Sequence, residues 1–162
     1  PGNHDVGDGE NNYHQEIFSK TIQSIDSYPL TFNTSDFNFI IENSNSNIYM
    51  NDNKLFELLN SYDDSLPYRT ILFRHHIPIR ELTYLSNRRK NTIGIKTFRD
   101  LEKEINNKRL IIISGDGGAF KYLQRIGCLK FNSIKYIVNG IGEINSDRII
   151  IIDKDKIYQM MI

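Results

Sequence analysis

Two short apolar runs constrain the fold of this chain more than any other feature. Thr70–Phe73 and Leu110–Ile113 are rich in β-branched and aromatic residues, and polar or glycine-rich sequence follows each run directly. Runs of this kind are consistent with strands buried on both faces of a sheet. Thr97 can cap a helix between them, with Asp100 completing a capping box. We therefore expect an α/β fold.

Local patterns predict the remaining elements. A helical stripe of apolar residues over 55–62 can be capped by Asn51 or Asp52. Residues 80–95 lack periodicity and are interpreted as a long loop. With no repeat and no linker in view, residues 1–162 are expected to form one domain. The other predicted elements are a helix carrying Ile17, Phe18, Ile22 and Ile25, strands at Thr31–Asn33, Phe37–Ile41, Ile134–Val138, Ile149–Ile152 and Ile157–Ile162, and a hairpin loop of four residues, Asp153–Lys156.

Composition narrows the classes of partner. The chain has 20 basic and 20 acidic residues, so no excess of positive charge indicates nucleic acid or an anionic membrane. No apolar run approaches the ~18 residues of a membrane span. The single cysteine, Cys128, excludes a disulfide within the chain, so nothing requires an oxidising compartment.

Chemically versatile side chains follow both buried strands. His75 and His76 come directly after the first strand, at a position where open α/β sheets place their sites; a pair of half-exposed loop histidines is the alternative. The second strand leads into Ser114–Gly118, in which Asp116 is the only ionisable group. This segment could hold a metal through Asp116 or a phosphate through its amides. It lacks the lysine and the spacing of a nucleotide-hydrolase phosphate loop.

The first residues of the chain form a third candidate site. Pro1–Gly2 is typical of a turn, Asn3 offers an amide oxygen that can bind a metal, and His4 can donate a proton to a leaving group. An ordinary polar loop is the alternative interpretation.

Taken in order, the Gly-Asn-His-Asp segment, the strand with His-x-Pro and the strand with Ser-Gly-Asp-x-Gly resemble the calcineurin-like metallophosphoesterase superfamily. The segment Tyr136–Gly142 is similar to the family's late strand and its glycines. The resemblance covers nearly the whole chain. It implies a metallophosphoesterase-type double β-sheet sandwich flanked by helices, with a two-metal site at the strand ends.

The resemblance also assigns roles to residues. It implies that Asn3 is a metal ligand and that His4 is the catalytic proton donor or transition-state stabiliser. The ligand of the His-x-Pro motif falls on His76, and His75 takes its place if the loop is shifted by one residue. Arg74 is a candidate for binding substrate phosphate oxygens, with a salt bridge as its alternative.

The chain departs from the family at two points. The family's last motif is Gly-His-x-His, whereas this chain has Asp116 and Gly118 at the two histidine positions. Asp116 can still bind a metal and favours harder ions, but Gly118 cannot, and Glu143 is a remote substitute. The family's opening motifs, Asp-x-His and Gly-Asp-x-x-Asp, are not present. We therefore expect that the domain is truncated, with its first strands and an upstream segment that completes the site preceding Pro1.

These features predict a hydrolase. The intact protein is expected to hydrolyse a phosphate mono- or diester with a water activated by two divalent ions, Mn, Fe or Zn, of which this chain alone would hold one or none. The alternative is a non-catalytic scaffold of the same fold that has lost part of its metal site. A sugar- or nucleotide-binding domain using Gly115–Gly118 is a third hypothesis, which leaves the histidine pair and Asn3-His4 unexplained.

Overall fold

The computed structural model describes residues 28–45, 47–62, 69–85, 94–106, 109–117, 126–131, 134–140, 148–153 and 156–161. Within these residues the chain is α/β, as predicted, with a mixed six-stranded sheet, a two-stranded sheet and two α-helices. The elements are β1 (Leu30–Asn33), β2 (Phe37–Ile41), α1 (Asn53–Ser61), β3 (Arg69–Arg74), a 3-10 helix (Arg80–Leu85), α2 (Phe98–Glu104), β4 (Leu110–Ser114), β5 (Ile126–Phe131), β6 (Ile134–Asn139), β7 (Arg148–Asp153) and β8 (Lys156–Met161).

The large sheet has the strand order β1-β2-β3-β4-β6-β5. Its four inner strands β2, β3, β4 and β6 run parallel, and each outer strand pairs antiparallel with its neighbour. The carboxyl ends of the four parallel strands therefore meet at one edge of the sheet. This is the edge at which open α/β sheets bind ligands.

Both faces of the large sheet are covered. Alternate side chains of the inner strands, such as Leu72 and Ile112, pack with Leu55 and Leu59 of α1 and Leu101 of α2. On the opposite face lies a second cluster, against which the β7–β8 hairpin packs. Its members are Phe37, Ile71, Ile111, Ile113 and Ile137, with Ile150, Ile152 and Ile157 contributed by the hairpin. The described residues thus form three layers of helices, sheet and hairpin.

Both helices begin where the sequence predicts. The Asp52 side chain accepts a hydrogen bond from the Lys54 backbone N–H (2.9 Å) at the start of α1. At α2, Thr97 Oγ1 accepts from the Asp100 N–H (3.2 Å), while Asp100 Oδ2 accepts from the Thr97 N–H (3.0 Å). The predicted capping box is therefore confirmed.

The structure differs from the sequence interpretation at three places. The predicted loop over 80–95 begins with a 3-10 helix, because Leu82 is buried and anchors its turn. The edge strand β5 was not predicted, since Gly127 and Lys130 break its apolar pattern. Asp153 pairs with Lys156, so both residues belong to strands rather than to a loop. The helix predicted around Ile17–Ile25 lies outside the described residues.

Among the described residues, no helix is long and apolar enough to span a membrane.

Candidate functional site

The two polar segments predicted at strand ends are in direct contact. Arg74 and Ser114 are paired at the carboxyl ends of β3 and β4. The pairing continues beyond the strands, because the Gly115 N–H donates to the Arg74 carbonyl (3.2 Å) and the Asp116 N–H donates to the His75 carbonyl (2.8 Å). The histidine pair and the Gly-Asp segment therefore form one structural unit.

A cleft of about 400 Å³ opens at this edge of the sheet, bounded on one side by Ile150 of the β7–β8 hairpin. His75 is half-buried and lines the cleft. Asp116, also half-buried, directly follows the lining residue Gly115. The remaining lining residues are Ile41, Glu42, Phe73, Arg74, Ile113, Ser114 and Asn139.

Arg74 forms the salt bridge that the sequence analysis left open as its alternative role. Its side chain is buried, and Nη1 lies 3.2 Å from Glu42 Oε2. Nε donates to the His76 carbonyl (2.8 Å), while Nη2 donates to the carbonyls of Asn47 (2.8 Å) and Ile48 (3.1 Å). The guanidinium thus ties Glu42, Asn47 and Ile48 to His75–His76, which we call the histidine turn.

Glu42 is a cleft residue that the sequence analysis missed. It directly follows β2, at the same edge as the histidines, and only 6% of its surface is exposed. Burial raises the pKa of its carboxyl above the usual value, although Arg74 and the hydrogen bond from Asn47 Nδ2 (2.7 Å) act in the opposite direction. Its position after a predicted strand was the available signal.

His76 does not line the cleft and is buried, with 1% of its surface exposed. Its Nδ1 is 3.1 Å from Ser44 Oγ, and the backbone N–H groups of His75 and His76 both donate to that same oxygen at 3.0 Å. The two imidazole rings are perpendicular, with their centres 4.8 Å apart. Ser44, which is fully buried, was not predicted from the sequence.

The His76 carbonyl also accepts a hydrogen bond from a side chain of the sheet, that of Ser114 at the end of β4. Ser114 Oγ donates to the His76 carbonyl (3.3 Å) and lies 3.1 Å from the Tyr136 hydroxyl. Because Ser114 has one proton and uses it on that carbonyl, Tyr136 is the donor to Ser114. Burial raises the pKa of the Tyr136 phenol, so it remains protonated as this arrangement requires.

Position 140, directly after β6, requires glycine because the backbone there lies against Gly117 of the Gly-Asp segment. A Cβ on Gly140 would lie 2.6 Å from Gly117 Cα and 2.7 Å from the Gly117 carbonyl oxygen. Real Cβ atoms do not approach other atoms this closely, so the two backbones can touch only because Gly140 lacks a side chain.

Two of the predicted metal ligands lie at this edge of the sheet. His75 offers an imidazole at the cleft, and Asp116, next to the lining residue Gly115 in the chain, offers a carboxylate. These two donor types suit Mn²⁺, Fe or Zn²⁺. No group of three or more His, Cys, Asp or Glu residues placed to hold a metal occurs in the part of the chain that the structure describes. The predicted residues Asn3 and His4, together with Gly118 and Glu143, lie outside that part.

Comparison of the chain with protein-family models, with curated proteins and with solved structures gave no match.

Proposed function

We propose that this chain belongs to a metal-dependent phosphoesterase of the calcineurin-like type, with its site at the carboxyl ends of β3 and β4. The observation that carries the proposal is the 2.8 Å hydrogen bond from the Asp116 N–H to the His75 carbonyl. It brings together two of the three motifs on which the resemblance rests. The hairpin that packs on the sheet face opposite the helices is compatible with the double-sheet sandwich that the resemblance implies.

His75, which lines the cleft, and Asp116, which follows the lining residue Gly115, would hold a divalent ion, joined by Asn3 from the first motif. When bound, the ion would supply an activated water and would polarise the phosphoryl oxygens of the substrate. His75, the alternative ligand of the sequence analysis, is the histidine that lines the cleft, whereas His76 faces Ser44. A carboxylate at position 116 shifts preference toward Mn²⁺.

The histidine turn is preorganised for this task. All four backbone polar groups of His75 and His76 have partners, supplied by Ser44, Asp116, Arg74 and Ser114. A ligand or catalytic group held in this way needs little rearrangement when substrate binds. The role proposed for His4 is to donate a proton to the leaving oxygen.

Substitution of His4 tests the proposal. In the intact protein, His4→Ala should lower Mn²⁺-dependent hydrolysis of an alkyl phosphate by about 10²- to 10⁴-fold, because the leaving alkoxide loses its proton donor. Bound Mn²⁺ should change little. His14→Ala, at a histidine outside the three motifs, is the matched control. Full activity of His4→Ala would refute the assigned role.

The second candidate is a non-catalytic scaffold of the same fold. It is favoured by the burial of His76 against Ser44 and by glycine in place of a histidine at position 118. Metal content separates the two candidates, because a scaffold that has lost its site would not retain stoichiometric Mn²⁺, Fe or Zn²⁺ after purification.

A further inference from the structure

The Ser44 hydroxyl has three hydrogen-bonding neighbours but only one proton. It accepts from the backbone N–H groups of His75 and His76, both at 3.0 Å, and it lies 3.1 Å from His76 Nδ1. A serine hydroxyl has two lone pairs and a single O–H. The backbone N–H groups can only donate, so they occupy both lone pairs. The O–H is left for the third neighbour, Nδ1.

We infer that Ser44 donates its proton to His76 Nδ1 and fixes the neutral imidazole in the tautomer that carries hydrogen on Nε2. The reverse arrangement would require the Ser44 oxygen to accept three hydrogen bonds at once while its own proton had no acceptor among these groups. Ser44 is completely buried, so water does not provide another partner. The tautomer of His76 therefore follows from the backbone conformation of the histidine turn.

This proton placement changes the role of His76. A neutral imidazole binds a metal through a ring nitrogen that carries no proton. In His76 the Nδ1 lone pair accepts from Ser44, while Nε2 carries the ring hydrogen. Metal binding through Nδ1 would displace Ser44, and metal binding through Nε2 would require the hydrogen to leave that nitrogen. Under the proposed function, on which this step rests, His75 is the metal ligand of the turn and Ser44 is its positioning residue.

The same serine positions the turn and the ring together. One oxygen holds two consecutive backbone N–H groups, which fixes where His75 leaves the sheet, and its proton fixes the orientation of the His76 ring. Alanine would remove all three hydrogen bonds at once. Cysteine retains a weak donor and acceptor of similar shape, so Ser44→Cys is the conservative variant.

Nitrogen NMR on the full chain tests the inference without any assay of activity. Protein labelled with ¹⁵N in histidine is measured above about pH 8, where imidazoles with ordinary pKa values are neutral. Long-range ¹H–¹⁵N correlations identify which ring nitrogen carries hydrogen, and the His76→Gln variant assigns the His76 signals by their loss. Hydrogen on Nε2 is expected. Hydrogen on Nδ1 in the wild-type protein would overturn the inference, even if no Ser44 variant folds.

Variants of Ser44 test its positioning role. Ser44→Ala should turn the single His76 tautomer into a mixture, and Ser44→Cys should restore much of the Nε2–H form. The control, Ser35→Ala, removes an exposed hydroxyl bonded to Asp36 in the β1–β2 turn and should leave the His76 signals unchanged. An unchanged His76 tautomer in folded Ser44→Ala would overturn the role of Ser44.

The protonation state of His76 Nε2 distinguishes failure of the tautomer assignment from failure of the proposed function. A scaffold without metal would still show Nε2–H on His76, whereas a phosphoesterase that binds metal through His76 would show a bare Nε2 in its metal-loaded form. The second result would overturn the inference and leave the proposed function intact.

Discussion

At the scale of single residues, Arg74 and Glu42 form a buried ion pair beside the proposed site. Removing two charges from water is costly unless further hydrogen bonds compensate, and here Arg74 donates to three backbone carbonyls while Asn47 donates to Glu42. The guanidinium is therefore committed to holding the 47–48 segment and the histidine turn. This arrangement favours a positioning role over direct contact with substrate phosphate.

Glu42 should make stability fall as the pH rises. Because burial raises its folded-state pKa above the usual 4.5, the folded protein binds more protons than the unfolded chain between that value and the raised pKa. The free energy of unfolding then has a negative slope with pH in this window. Its contribution is present below about pH 4.5 and is lost as the pH rises through the folded-state pKa.

Urea unfolding of wild-type protein and of Glu42→Gln over a pH series measures this contribution. The stability of the wild type relative to the variant should decrease with rising pH, because glutamine cannot titrate. Glu57→Gln, at an exposed position of α1, controls for the loss of one carboxylate elsewhere. A relative stability that increases with pH would show that the ion pair with Arg74 outweighs burial.

Some residues of the proposed site could be predicted from the sequence and others could not. The polar residues Arg74, His75 and Asp116 could be selected from the sequence because they directly follow buried strands. Ser44 could not, because its three partners lie more than 30 positions away and it stands in an Asn- and Ser-rich segment with no periodicity. The choice between His75 and His76 as the cleft residue likewise depends on ring orientation, which spacing does not determine.

At the scale of elements, a helix or strand could be predicted from the sequence where residues close together in the chain form a recognisable pattern. The capping box at Thr97 and the strands predicted at Thr31–Asn33 and Phe37–Ile41 depend on nearby residues, and all are confirmed. Strand β5 gives no such signal. It lies at the sheet edge and is held by backbone pairing with β6, so its sequence needs little apolar alternation.

The end of β6 provides a prediction at this scale. Gly140→Ala should destabilise the protein by roughly 1–3 kcal/mol, because its new Cβ would overlap the Gly117 backbone and force it away from β6. Urea unfolding gives the change in the free energy of unfolding.

Gly115→Ala is the matched control. Its Cβ would lie 3.5 Å from His75 Nδ1, an ordinary contact, so a change within about 0.5 kcal/mol is expected. If Gly140→Ala proved as stable as Gly115→Ala, the close approach of the two backbones would be contradicted.

At the scale of the whole molecule, the α/β class was predictable, whereas the order of the strands was not. Two buried runs with a helix between them predict adjacent parallel strands, as β3 and β4 are. That β4 pairs with β6 and leaves β5 outside it depends on long-range contacts. The resulting edge brings together the carboxyl ends of the four parallel strands, and there the histidine pair and the Gly-Asp segment are in contact.

Under the proposed function, this edge of the sheet binds the metal ions of a phosphoesterase. The most direct test is the metal content of the purified protein after Mn²⁺ is supplied, measured on this chain and on a longer protein made by extending it upstream of Pro1. The longer protein should retain about two ions per molecule and this chain one or none. Asp116→Ala should lose at least one ion, whereas the control Asp36→Asn, in the β1–β2 turn at the opposite end of the sheet, should lose none. A folded longer protein that retains no ion would contradict the account and favour the scaffold.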